Sequence, residues 1–179
     1  MEIIERLLNI GFTKELVVLT ISALPIIELR GALPVAINVF KIQWYWALPL
    51  AITGNILPVP VLLLFLDSIA DILRKFDNGK RFVNWVFERT RKRGKMIERY
   101  ERIGLMLFVA IPLPFTGAWT GAIAAFLIGQ RFIYSFLSIL CGIIIAGTIV
   151  TTLCLLGWVG AIIAGICLII LAIFGWWKV

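Results

Sequence analysis

Apolar residues fill most positions from Leu16 to Phe40, but the run is broken in its middle by Leu24-Pro25-Ile26-Ile27-Glu28-Leu29-Arg30-Gly31-Ala32-Leu33-Pro34. Each proline removes a backbone donor and disfavours helix in the residue before it, here Leu24 and Leu33. The piece ahead of the break, Lys14 to Leu24, would reach about 16 Å as helix, roughly half of a 30 Å hydrocarbon core. The piece after it, Gly31 to Ile42, returns. The pattern therefore predicts a re-entrant hairpin, with one kinked crossing helix as the alternative. Broken backbone is tolerated at membrane depth only where protein or water satisfies it.

Trp46 to Leu66 reads as a full span, preceded by an interfacial cluster of Trp44, Tyr45 and Trp46. It contains Pro49, Pro58 and Pro60 and the polar Thr53-Gly54-Asn55, which predicts a kink turning polar groups inward; the plain role of Gly54 is close packing. A second short apolar piece, Ile103 to Ile111, meets Pro112-Leu113-Pro114-Phe115-Thr116-Gly117-Ala118-Trp119, and a return piece runs to Ile128. Gly129-Gln130-Arg131 is a polar turn. Phe132 to Leu156 and Trp158 to Trp177 read as two further spans. Met1 to Gly11 is expected to be an interfacial amphipathic helix, and lacks the basic leader of a signal peptide. Thr13 is placed to cap the next helix, with Glu15 in its first turn.

Aligning Gly31 with Gly117 exposes an internal repeat. Gly31, Ala32, Ala36, Ile37, Phe40 and Ile42 match Gly117, Ala118, Ala122, Ile123, Phe126 and Ile128. If both short pairs are re-entrant, the spans that follow cross in opposite directions and the copies are inverted. Paired broken segments at corresponding positions point to a transporter binding site at the midplane. Duplication kept for packing alone is the simpler reading, since Gly117 and Gly121 also form a GxxxG.

Composition agrees with a membrane protein. Of 179 residues, 61% are hydrophobic and 15% charged, too apolar for a soluble domain of this length. The expected architecture is all-α and integral to the membrane, as a single domain. Repeat 1 covers about 14–66, a basic amphipathic linker 67–102, repeat 2 about 103–156, and a C-terminal span 158–177. Within the linker, Asp67 to Phe76 and Arg81 to Arg102 are expected to lie along the membrane surface as amphipathic helices. Net charge is +7, and most of the Lys and Arg lie between Arg74 and Arg102. That places the linker in the cytoplasm, solvated or docked on anionic headgroups. Nucleic acid is not an expected partner, because the basic segment is tethered between apolar runs and shows no binding motif.

Candidate chemistry follows from the break. A charge in hydrocarbon costs about 2.5–3.5 kcal/mol on insertion scales. Glu28 and Arg30 would point apart on a continuous helix, whereas an unwound tip lets both meet one cavity. Arg30 offers planar donors to a phosphate, and helix N-termini at Gly31 and Gly117 add free N–H groups. Asn55, Thr116 and Trp119 would line the same cavity. Glu28 would balance Arg30 and carry a coupling proton, since burial favours a neutral carboxyl. The chain contains no histidine, and Cys141, Cys154 and Cys167 are far apart, so no metal site, catalytic residue or cofactor is expected.

The segments Glu28-Leu29-Arg30-Gly31-Ala32-Leu33-Pro34 and Pro112-Leu113-Pro114-Phe115-Thr116-Gly117-Ala118-Trp119 resemble those of the small multidrug export protein family over nearly the whole chain. That family is similar in plan to the DedA superfamily, or VTT fold, with two opposed re-entrant hairpins. The resemblance implies a multi-pass protein of a prokaryotic cell membrane, and movement of lipids such as polyprenyl phosphates, in some members coupled to protons or sodium. Glu28 matches the acid of the first hairpin. The arginines that flank a proline in the second hairpin of DedA-like proteins are absent here, and Thr116 stands where a charge is expected. The leading expectation is a transporter or flippase for an anionic isoprenoid lipid phosphate. The alternatives are an exporter of hydrophobic cations and a scaffold that transports nothing. Expected partners are membrane lipids and the lipid-phosphate substrate; a homodimer is allowed.

Overall fold

A computed structural model describes residues 11–73, 95–112, 116–162 and 165–166. Among these residues the fold is entirely helical. The ordered elements are α1 (Lys14–Ala23), α2 (Glu28–Pro34) running into a π-helical turn (Val35–Val39), α3 (Trp44–Ile56), α4 (Pro58–Leu73), α5 (Lys95–Ala110), α6 (Ala118–Ile128) and α7 (Phe132–Leu155).

The local chemistry explains most boundaries. Thr13 caps α1, its Oγ1 accepting from Leu16 N–H at 3.3 Å. Pro25 stops α1, and Leu24 is extended. Pro34 lies inside α2 and lacks an N–H; the ladder then widens into the π turn, where Phe40 N–H bonds to Val35 O at 2.9 Å. Pro58 opens α4 at a position whose N–H has no helical partner in any case. Gly129 ends α6 in the left-handed conformation, φ 74°.

Two helical runs, Trp44–Leu66 and Phe132–Leu155, are long and apolar enough to cross a membrane. In both halves a short helix packs on a long one through a glycine. A Cβ on Gly54 of α3 would lie 2.5 Å from the Leu19 carbonyl oxygen of α1. A Cβ on Gly142 of α7 would lie 2.7 Å from Val109 Cβ and 2.8 Å from the Met106 carbonyl oxygen of α5. Close backbone approach of this kind is how apolar helices associate where water supplies no drive. The Ser22 hydroxyl bridges α1 and α3 by donating to the Ala51 carbonyl at 2.5 Å. α2 packs between α1, α3 and α7, so Leu29, Ala32, Leu33 and Ala36 join the core with Val17, Val18, Ala47, Ile139 and Ile143.

Several boundaries differ from the sequence reading. The helix that starts at Pro58 does not stop at Leu66 but continues through Asp67 to Leu73. Likewise Arg102 and Ile103 lie inside one helix, α5, because nothing between Lys95 and Ala110 interrupts the hydrogen-bond ladder; Gly104 is accommodated within it. The expected helices at Met1–Ile10 and over 81–94, and most of the span 158–177, lie outside the described residues.

Candidate functional site

The segment from α1 into α2 presents an acid through an unusual backbone. The chain turns over Pro25–Ile27, and α2 starts at Glu28, whose φ is +50°. Left-handed backbone is uncommon outside glycine and clusters where a side chain must be aimed. Here it sends the carboxylate across to the first turn of α6. Glu28 is only 6% exposed. Its Oε1 accepts from Trp119 N–H at 3.4 Å, and the Ala118 N–H also faces the carboxylate. Both donors belong to the first turn of α6, so Glu28 supplies a negative charge at that helix's positive end.

Gly117 makes this approach possible. It is the N-cap of α6, and a Cβ there would collide with all three atoms of the Glu28 carboxylate group. Thr120 takes up the Gly117 N–H, its Oγ1 accepting at 2.8 Å.

Arg30 faces the other broken end. Its Nη2 donates to the Thr116 carbonyl, to Thr116 Oγ1 at 3.2 Å and to the Ile111 carbonyl at 3.5 Å. Ile111 directly follows α5, so a cation sits where that helix leaves its last carbonyls. The Thr116 hydroxyl itself donates to Ile111 O at 2.8 Å. Glu28 thus sits at the start of α6, and Arg30 just beyond the end of α5. Each feels the other's charge, but their hydrogen bonds run to these backbone groups.

Among α2, α3, α5, α6 and α7 lies a small cavity lined by Glu28, Leu29, Arg30, Asn55, Val109, Gly117, Ala118, Ile143 and Ala146. The centre of a water-sized group has about 10 Å³ to move in, which is room for one such group. Asn55, from α3, is 4% exposed, and its Oδ1 is buried with no hydrogen-bond partner. A buried acceptor left unpaired costs about 1–3 kcal/mol.

The structure therefore brings Glu28, Arg30, Asn55 and Gly117 to one cavity, with Thr116 joined to it through Arg30. Trp119 contributes its backbone N–H, while its indole turns away to donate to the Ala23 carbonyl at 3.1 Å and ties α6 to α1. Gly31 is a correction. It lies inside α2, its N–H already bonded to Ile27 O at 3.1 Å, so it offers no free helix N-terminus; the helix begins three residues earlier than its glycine suggested. Arg30, too, is helical rather than unwound, and the positive φ of Glu28 is what lets both side chains reach one space. Val109, Ile143, Ala146 and the Ile111 carbonyl were not singled out from sequence. Three are ordinary apolar side chains and the fourth is backbone, so only packing reveals them.

Among the described residues no group of three or more His, Cys, Asp or Glu is placed to hold a metal ion. No curated protein and no solved structure matches the chain. A family profile described as "Putative small multi-drug export protein" does match, over residues 28–149, a stretch that begins at Glu28 and holds every residue lining the cavity, the run Trp44–Leu66 and most of Phe132–Leu155. That match spans more than half of the sequence, and the chain belongs to this small multi-drug export protein family.

Proposed function

We propose that the protein is a membrane exporter of hydrophobic cations, with Glu28 as the counter-charge that binds them. One observation carries this reading. Two residues that line the cavity carry buried acceptors, the Glu28 carboxylate and the unpartnered Asn55 Oδ1, while Arg30 Nη2 is turned to the Thr116 and Ile111 carbonyls. A site rich in acceptors suits a cation. The family description supports the same choice. A carboxyl that holds either a proton or the substrate cation, but not both, also couples the two fluxes, which gives Glu28 the coupling role.

The lipid-phosphate reading fits less well. The α6 N-terminus, the natural seat for a phosphate, is already filled by the Glu28 carboxylate. A phosphate would have to expel it before reaching Arg30.

Two re-entrant hairpins in inverted orientation remain the arrangement we propose. α1 and α6, with 10 and 11 residues, span about 15–17 Å, half of a hydrocarbon core. Arg102 lies over the Tyr134 ring at 3.6 Å, beside the Gly129–Arg131 turn. This favours one membrane side, the cytoplasmic one, for that turn and the basic linker. The cavity in this form admits a head group and no more, so passage requires the two tips to part.

The test is flux of a fluorescent hydrophobic cation through the purified protein in liposomes, beside its melting temperature. Glu28→Gln with Arg30→Gln removes both charges, and with them the penalty of leaving one unpaired. The expected result is a folded protein without flux. Wild-type flux from that double variant would overturn the assignment and leave Glu28 and Arg30 as braces of a scaffold.

A further inference from the structure

We propose that the Glu28–Asn55 cavity selects primary ammonium head groups over quaternary ones, with Asn55 as the residue that discriminates. The inference rests on the cation reading above and adds the substrate class.

The argument is one of donors and room. Glu28 and Asn55 are both more than nine-tenths buried. Glu28 takes a long hydrogen bond of 3.4 Å from the Trp119 N–H and faces the Ala118 N–H, although a carboxylate accepts about four. Asn55 Oδ1 has none. An acceptor in this condition gains most from a ligand that brings an N–H, and a charged donor forms the stronger bond. A primary ammonium is compact, close to water in size, and carries three donors. It fits the space of about 10 Å³, which Glu28 and Asn55 both line, and its three donors would serve the carboxylate and the amide oxygen. A quaternary ammonium is wider by its methyl groups and has no N–H, so it would leave Asn55 Oδ1 unpaired. Leu29, Val109, Ile143 and Ala146 form an apolar wall for the first methylenes behind the head. Arg30 also borders the cavity and opposes any cation there; its Nη2 is held at the α5 end by Thr116 and Ile111. Discrimination by a buried group that must be hydrogen-bonded is steeper than discrimination by shape alone.

The probes are dodecylammonium and dodecyltrimethylammonium, which share one tail. Their binding is measured below their micellar concentrations on full-length protein in nanodiscs, against empty nanodiscs. The wild type is expected to prefer the primary amine by about tenfold or more, the usual worth of a charge-assisted hydrogen bond. Asn55→Leu should remove most of that preference while leaving the quaternary probe bound as before. Asn55→Asp keeps an acceptor and should keep the preference, which covers the case in which the leucine variant fails to fold. Glu28→Gln should weaken both probes. Equal binding of the two probes by the wild type, or an unchanged preference in Asn55→Leu, would overturn the selectivity proposal while leaving cation export standing. Binding of neither probe would overturn both.

Discussion

Arg30 donates to the carbonyl and hydroxyl of Thr116, and the two residues stand 86 positions apart, the same offset that aligns the two copies of the repeat. The contact joins a cation beside the start of α2 to a backbone acceptor just ahead of α6. Glu28, two residues from Arg30, sits on the α6 N-terminus itself. One short segment thus carries both charges, and the stretch from the end of α5 to the start of α6 receives them.

If Arg30 acts mainly on backbone, the two sides of its contact should differ in weight. Thr116→Val removes a hydroxyl but keeps the carbonyl, and should cost about 0.5–1.5 kcal/mol. Arg30→Met removes a charged donor from the Thr116 carbonyl and hydroxyl together and should cost more, about 1.5–3 kcal/mol. Thermal melts in one detergent check the order.

Gly117 and Gly104 should respond to alanine with opposite signs. At Gly117 the new Cβ meets the Glu28 carboxylate, and overpacking of this kind costs about 1–3 kcal/mol. Flux should fall with it, since the acid is pushed off its seat. At Gly104, inside α5, nothing lies within 4 Å of an added Cβ. Alanine there should stabilise by up to about 1 kcal/mol through helix propensity. Equal melting temperatures for the two variants would contradict the packing described.

Gly142→Ala should behave like Gly117→Ala in stability. Its Cβ would press on Val109 and on the Met106 backbone, and backbone cannot swing aside. The expected loss is about 1–3 kcal/mol. Because Val109 also lines the cavity, binding of a cation should weaken more than it does in Gly54→Ala, whose clash lies with Leu19 and Ser22.

Trp119→Phe keeps the ring and removes the bond from Nε1 to the Ala23 carbonyl. A loss of about 0.5–1.5 kcal/mol is expected, with cation affinity little changed, since the indole lies off the cavity. A large loss of affinity at normal stability would place the indole in the binding site.

The membrane arrangement is checked by cysteines introduced at Asn78 and Gln43 in a background free of native cysteine. An impermeant thiol reagent added outside cells should label the second and spare the first. Labelling of both from one side would refute the proposed orientation.

What the sequence by itself determined is local. Prolines and glycines restrict the backbone within a residue or two of themselves, so the break of α1 at Pro25, an interruption within the run Trp46 to Leu66 and the turn at Gly129 were legible without a fold. Charges are too costly in an apolar run to be incidental, so Glu28, Arg30 and Asn55 were legible as candidates. The helix start was not, because the left-handed residue is Glu28 and not the nearby Gly31, and a glutamate carries no mark of positive φ. Nor was the continuity of α4 through Asp67 or of α5 through Arg102, where polarity changes but the helix does not. Tertiary structure alone decided the pairings: Glu28 with the α6 N-terminus, Arg30 with the Thr116 and Ile111 carbonyls, and Asn55 Oδ1 left without a partner. Periodicity reports which face of a segment is apolar, but it says nothing about which distant backbone group will stand opposite a given side chain. That is set by how closely helices approach, here at Gly54, Gly117 and Gly142, where a missing Cβ brings one chain against another.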